Sequence, residues 1–234
     1  AIPGRLNYLH YMLDLLYSDN DKLKYKGERI KMLDIGTGAS LIFPLLAVLE
    51  FNWYVKAAEL NEESFRNAEY ILDRNAKLKS KIQLVRQKRV DGFFDNVIEV
   101  EDRFTFTVCN PPFYGSEEEA IAAAEKKNRN IHRRSASSKR NYGGVSHELI
   151  YHGGEKAFIK GMIKQSRKYG NSVLWFSTMV SSQALIYSFK TILDRADVKE
   201  FRIIDTSHGN RKSRILAWSF FSKEKRKQWL NGLQ

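Results

Sequence analysis

A chain of 234 residues, 43% hydrophobic and 28% charged, can close one sizeable core and has the balance of a soluble globular protein. No apolar run approaches the ~20 residues of a membrane-spanning helix, the first residues lack the charged, apolar and small succession of a secretion signal, and Cys109 alone excludes an internal disulfide or a cysteine metal cage. The net charge of +12, with an isoelectric point near 9.6, favours an anionic partner, most commonly nucleic acid.

In chain order, residues 6–17 carry Leu6, Leu9, Met12, Leu13 and Leu16 at helical spacing, and the polar stretch 19–28 reads as a connection. Residues 30–35 predict a short buried strand that runs into Asp34-Ile35-Gly36-Thr37-Gly38-Ala39-Ser40. A helix follows, with Leu41, Leu45, Leu46 and Leu49 expected inward. Residues 53–58 are a second strand ending at Glu59. Asn61 then caps a helix over 62–76, with Phe65, Ala68, Ile71 and Leu72 inward. A third strand at 82–85 leads to a turn over 87–91. The fourth, 104–109, alternates and stops at Asn110-Pro111-Pro112-Phe113. Such alternation of strand and helix implies a parallel sheet with helices on both faces.

Residues 114–147 interrupt that rhythm, being polar, basic and too long for an ordinary connection. Within them Lys126, Lys127, Arg129, Arg133, Arg134, Lys139 and Arg140 occur with no acid between 126 and 140. Regular structure resumes at His152-Gly153-Gly154-Glu155, with a helix to about Tyr169-Gly170, a strand at 173–176 and a helix containing 185–193. Two strands, 199–204 and 215–221, are joined by a basic loop over 208–214 that holds Arg211, Lys212 and Arg214. No internal repeat or domain boundary is evident. The expected organisation is one α/β domain over 1–234, with a helix and connection at 1–28 and a basic insertion at 114–147. Both basic stretches are expected to grip RNA phosphates or stack on bases.

Three stretches carry chemistry. Gly36 and Gly38 permit a tight turn and close approach of a ligand, and the following helix presents its N-terminus to the crevice. The spacing is Gly-x-Gly-x-Ser, so a ligand carboxylate suits the turn as well as a phosphate does. Glu59 lies 21 positions beyond Gly38, at a strand end where a carboxylate can accept from both hydroxyls of a ribose. S-adenosylmethionine has that ribose and a carboxylate without phosphate, and is the expected cofactor. Asn110 contributes a side-chain carbonyl, Pro111 a backbone carbonyl and Phe113 a flat apolar face. Two acceptors and a platform suit a planar amino group held for alkylation, with Tyr114 or Phe176 as further stacking partners. His132, His147, His152 and His208 are scattered without ligand spacing, and no metal is expected.

These motifs, in this order and spacing, resemble the amino-group methyltransferases of the Rossmann-like class. Ile2-Pro3-Gly4-Arg5-Leu6-Asn7-Tyr8-Leu9-His10-Tyr11, the Gly-Thr-Gly-Ala-Ser loop, Gly153-Gly154-Glu155 and Ala217-Trp218-Ser219-Phe220 are similar to the bacterial 23S rRNA adenine-N6 methyltransferase F family, whose eukaryotic relatives methylate adenine in small nuclear and messenger RNA. The Gly-Asn-Arg-Lys-Ser-Arg stretch favours the bacterial branch. The resemblance implies a class I methyltransferase sheet, mostly parallel and seven-stranded, with an antiparallel last strand. It also implies methyl transfer to N6 of one adenine in 23S rRNA, free or in a large-subunit assembly intermediate; from the single cysteine a reducing cytoplasm is expected, and the chain is expected to act as a monomer. By the same resemblance Arg5 reaches the cofactor's carboxylate end, Gly36 and Ser40 line the cofactor, Glu59 binds its ribose, and Asn110 borders cofactor and substrate. Arg89, in the turn after the third strand, stands where the eukaryotic relatives have threonine, which leaves a backbone contact to the cofactor's adenine and puts a side-chain contact in doubt. Rival readings are a protein glutamine-N5 methyltransferase, a DNA adenine methyltransferase, and a non-catalytic RNA-binding module on the same fold.

Overall fold

Short apolar runs rich in β-branched and aromatic residues become strands β1 (Lys31–Ile35), β2 (Tyr54–Glu59), β3 (Ile82–Arg86), β4 (Phe104–Cys109) and β5 (Val173–Val180). A computed structural model describes residues 2–22, 27–112, 114–116, 118–119, 121, 150–208 and 211–232. With β6 (Glu200–His208) and β7 (Arg211–Ser219) the strands form one seven-stranded sheet in the order β3-β2-β1-β4-β5-β7-β6. Pairing is parallel from β3 to β5, while β7 runs antiparallel to both β5 and β6, as expected of the class. Chain order reverses between β1 and β4, the place in such sheets where a crevice opens beyond the strand ends.

Helices cover both faces, so every residue of β4 is buried and its neighbours lack an exposed side. On one face α1 (Ile2–Asp19), α2 (Ile42–Phe51) and α3 (Glu62–Asp73) enclose Met32, Ala57, Phe106, Val108, Trp175 and Ala217. On the other, α5 (Gly154–Ser166), continued by a 3-10 turn (Arg167–Tyr169), and α6 (Gln183–Arg195) enclose Leu33, Ala58, Cys109, Phe176, Leu216 and Trp218. Consecutive residues such as Trp175 and Phe176 thus enter opposite cores, as the strand period of two requires. Among the described residues no helix is long and apolar enough to cross a membrane.

Several expectations are corrected. In α2 Leu49 is 69% exposed, and Phe43, Pro44, Ala47, Val48 and Phe51 face inward instead. That helix is apolar nearly all round, so spacing alone leaves its rotational phase open. The helix expected over 62–76 breaks after Asp73, where Asn75 Nδ2 donates to the Ile71 carbonyl at 2.7 Å, and a short α4 (Ala76–Lys79) follows. Strand β5 extends beyond 176 because the polar Ser177 is paired inside the sheet, its N–H donating to Thr107 Oγ1 at 2.9 Å. The loop expected over 208–214 is mostly ladder: Asp205 pairs with Arg214 and Thr206 with Ser213, and the register runs to His208 opposite Arg211. A polar C-terminal helix, α7 (Lys223–Asn231), has no counterpart in the sequence reading, since only Arg226 and Leu230 in it are buried.

Arg226 explains how so polar a helix docks. Its guanidinium is 1% exposed, donates from Nε and Nη2 to Asp19 at 2.7 and 3.0 Å, pairs with Glu200, and lies 4.6 Å from the centroid of the Trp175 ring. Asp19 also accepts from Trp175 Nε1 at 3.0 Å. One buried carboxylate therefore ties the end of α1, β5 and α7 together. Breaking a buried pair from one side strands a charge, which costs roughly 3–5 kcal/mol, whereas an apolar pair of similar volume is often neutral. Asp19→Ala is expected to lower the urea unfolding free energy by about that amount, and Asp19→Leu combined with Arg226→Met to recover most of it.

Candidate active site

The sheet register assembles the site. Ile35 lies opposite Ala58 on one side and Cys109 on the other, so the next residues, Gly36, Glu59 and Asn110, leave adjacent strands in one row. Gly36 and Thr37 both donate their N–H to the Ala58 carbonyl at 3.0 Å. This turn requires the left-handed conformation at Gly36 (φ +70°) and Gly38 (φ +69°). Open space surrounds the position of a side chain at Gly36, and Ser40 is exposed in the same turn. Glu59 is 4% exposed. Its Oε2 accepts from Gly38 N and its Oε1 from Asn61 N, both at 2.7 Å. The carboxylate expected to bind a ribose therefore also latches the glycine turn.

Asp34, in β1 just before this turn, carries no role in the sequence reading. It is fully buried, and neither of its oxygens, nor Thr37 Oγ1, has a hydrogen-bond partner. Burial raises its pKa from the ordinary 3.8 to about 7; the Thr37 hydroxyl, near it but outside hydrogen-bond geometry, offsets a part, Glu59 adds to the rise, and Arg5 opposes it. A buried carboxylate without donors fits a ligand that carries an ammonium group. Together with an open glycine turn and an anchored acid at the β2 end, it fits the amino-acid portion and ribose of S-adenosylmethionine.

The acceptor side is built from α1. Arg5 is half-buried. Its Nη1 donates to Asn110 Oδ1 at 2.9 Å and contacts Met179 Sδ at 3.0 Å, and its guanidinium lies 5.3 Å from the Phe43 ring centroid. Three residues further along the helix, the Tyr8 hydroxyl meets Ser177 Oγ at 2.9 Å, and Ser177 Oγ in turn donates to the Thr107 carbonyl. Pro111 and Pro112 are buried behind Asn110. Burial pushes the Cys109 thiol well above its usual range, which suits packing and not nucleophilic chemistry.

Tyr114 and Ile150, described residues on either side of 122–149, meet close to this site. Tyr114 forms a parallel bridge with Ile150, and Tyr151 N donates to the Tyr114 carbonyl at 3.0 Å. Glu155, at the start of α5, accepts from Ser181 N at 2.6 Å and so joins that helix to the end of β5. Arg5, Gly36, Gly38, Glu59, Asn110 and Pro111 thus converge. Arg89 is engaged elsewhere, its guanidinium paired with Asp91 at 3.1 Å, while its backbone N–H is held by Gln87 Oε1 at 3.0 Å. Phe176 is 0% exposed and stacked on Trp218, so it is core and no platform for a base. Phe113 and the basic residues Lys126, Lys127, Arg129, Arg133, Arg134, Lys139 and Arg140 lie outside the described residues. Arg211, Lys212 and Arg214 stand in β7. Because Arg214 is opposite Val180, the start of β7 lies at the sheet end where β5 finishes, the end that carries the crevice. Arg214 Nε pairs with Asp205 at 2.8 Å.

Comparison with known proteins bears on this site. A family model described as RNA methyltransferase matches residues 1–222. Proteins named ribosomal RNA large subunit methyltransferase F are similar throughout. That of Flavobacterium johnsoniae is 39% identical over 231 residues, 97% of this chain and 73% of the relative. That of Pseudomonas aeruginosa is 36% identical, covering 97% and 69%. Among solved structures, the hMettl16 catalytic domain in complex with MAT2A 3′UTR hairpin 1 superposes with a TM-score of 0.74 at 30% identity, over 95% of this chain and 71% of that one. The N-terminal domain of human METTL16 in complex with SAH gives 0.67 at 25%, over 95% and 72%.

Asp34 makes the fold sensitive to pH. Its folded pKa lies above its unfolded value, so its contribution to stability is complete below about pH 4 and is lost as pH rises through about 7. Without ligand, the protein is expected to lose more unfolding free energy between roughly pH 5 and pH 8 than Asp34→Asn does, as measured by denaturant titration of both.

Proposed function

The chain belongs to the RNA methyltransferase family, and on that footing we propose that it methylates the exocyclic N6 amine of one adenine in 23S rRNA. The observation that carries this reading is the placement of Asn110 and Pro111, at the end of β4, in the same row as Gly36 and Glu59. An amine held there lies beside the crevice that fits the methyl donor. The bacterial relatives' name points to large-subunit RNA as the substrate class, and the basic start of β7 at the same sheet end suits an RNA backbone.

S-adenosylmethionine supplies an activated methyl group. For its part, the chain would hold the donor through Glu59 for the ribose, the Gly36–Gly38 turn and Ser40 for the amino-acid portion, and Asp34 for its ammonium group. Asn110 Oδ1 and the Pro111 carbonyl accept the two amine hydrogens, which turns the nitrogen lone pair out of the base plane. Their dipoles then meet the positive charge that develops on nitrogen, and fixed alignment supplies much of the remaining acceleration. Phe113 is the stacking candidate for the extruded base. Lys126, Lys127, Arg129, Arg133, Arg134, Lys139, Arg140, Arg211, Lys212 and Arg214 are the candidates for phosphate contacts. The same reading has the chain act as a single monomeric domain in the cytoplasm, without a metal.

The test is transfer of labelled methyl to protein-free 23S rRNA from cells lacking the enzyme, with bulk protein and duplex DNA in parallel and digestion to nucleosides. N6-methyladenosine in the rRNA alone is expected, and label in protein glutamine would move the assignment to the rival enzyme. Asn110→Ala is expected to lower turnover at least about a hundredfold, the usual scale for one oxyanion-type contact, with donor binding retained. Turnover within about tenfold of the parent, roughly 1.4 kcal/mol, would remove Asn110 from this role.

A further inference from the structure

The resemblance places Arg5 on the donor's carboxylate, yet the geometry gives its guanidinium a second employment. Arg5 Nη1 is 2.9 Å from Asn110 Oδ1. A guanidinium carries only donors, so it accepts one orientation of the amide, the one with Oδ1 turned towards it. The flipped amide would set NH2 against N–H. Asn110 therefore keeps its carbonyl oxygen, with one lone pair still free, at the place where an amine must be received.

Arg5 is itself held from several sides. Phe43 of α2 lies beneath the guanidinium plane at 5.3 Å, and Met179 of β5 touches the same Nη1 at 3.0 Å. One helical turn away, Tyr8 is riveted through Ser177 to the Thr107 carbonyl of β4. The anchoring strand is the one that ends at Asn110. Helix α1 is thereby locked to the strand whose end it serves, and little side-chain entropy remains to be lost when Arg5 meets the amide.

We propose that Arg5 is a positioning residue that fixes the amide orientation of Asn110 for the acceptor amine, a role separate from any grip on the donor. This rests on the reading of Asn110 as the amine's acceptor. A positioning residue acts through its partner, so its loss matters only while the partner is present. A residue that grips the donor acts whether or not Asn110 is there.

The experiment compares the full chain with Arg5→Met, Arg5→Lys, Asn110→Ala and the Arg5→Met/Asn110→Ala double variant. Turnover is measured at saturating donor and RNA, and donor affinity by equilibrium dialysis. At saturating donor, Arg5→Met is expected to lower kcat at least about tenfold, over and above the rise in donor Kd that the lost carboxylate contact brings. Arg5→Lys, which keeps one donor for Oδ1 and a charge, recovers part of the loss. In the Asn110→Ala background the Arg5→Met change is expected to alter the residual rate by less than about twofold. A readout independent of turnover is the side-chain amide signal of Asn110 in asparagine-labelled protein, identified by its absence from Asn110→Ala. The signal should shift in Arg5→Met and move back towards the parent position in Arg5→Lys. Independent losses in the double variant, or a raised donor Kd with kcat restored by excess donor, would overturn the proposal and leave Arg5 as a donor grip. An Asn110→Ala protein with near-normal turnover would instead sink the acceptor reading on which the proposal stands.

Discussion

The pairing of Ile35 with Ala58 on one side and Cys109 on the other is the constraint from which the site follows. Parallel strands leave a sheet at the same end, so a common register delivers the residue after each strand to one line. Gly36, Glu59 and Asn110 are far apart in the chain and adjacent in space for this reason alone. A slip of one residue in either ladder would turn its side chains to the opposite face. It would also carry Glu59 or Asn110 out of the row. The apolar faces that bury these strands against helices on both sides are therefore also what holds the chemistry in register.

Around that row the protein accumulates polar groups that are costly to bury, and it compensates them unevenly. Glu59 is satisfied by two backbone N–H groups, and Ser177, Thr107 and Tyr8 satisfy one another inside the sheet. Asp34 is left without a partner. Near it, Arg5 is the cation that opposes the rise of its pKa, while burial also depresses the basicity of Arg5. A carboxylate without donors beside a turn with open approach is unstable by itself and well suited to a positively charged guest. Stability is supplied away from the crevice by the aromatic cores, while the Asp19–Arg226 tie fixes where α7 docks against α1.

Much of this was legible in the residues. The strand–helix alternation, the cap at Asn61, the glycine turn, Glu59 and the Asn-Pro-Pro-Phe end depend on local chemistry, namely period, turn conformation and donor–acceptor inventory. The errors fall where burial decides. Helix α2 is apolar on every side, so its inward face could not be chosen before the sheet was placed. The end of β5 beyond Phe176 and the 205–214 part of the β6–β7 ladder contain Ser, Thr and charged residues whose partners lie across the sheet, so the expected strands stop short of them. Helix α7 docks through a buried arginine, and no apolar stripe announces that. Phe176 looked free to stack on a base and is enclosed between Phe94 and Trp218.

The class of chemistry resides in residue types, because a glycine turn, a strand-end acid and an Asn-Pro carbonyl pair carry their chemistry wherever they are folded. The tertiary structure alone decided which groups share a site and what each can do there. Arg5 meets Asn110 because the apolar face of α1 and a buried hydroxyl chain pack that helix against the sheet. Arg89 is given to Asp91, and Asp34 acquires a pKa near 7 only because the fold removes it from water and leaves it no donor. Donor and acceptor types are properties of residues. Burial, partnership and register are properties of the assembled sheet.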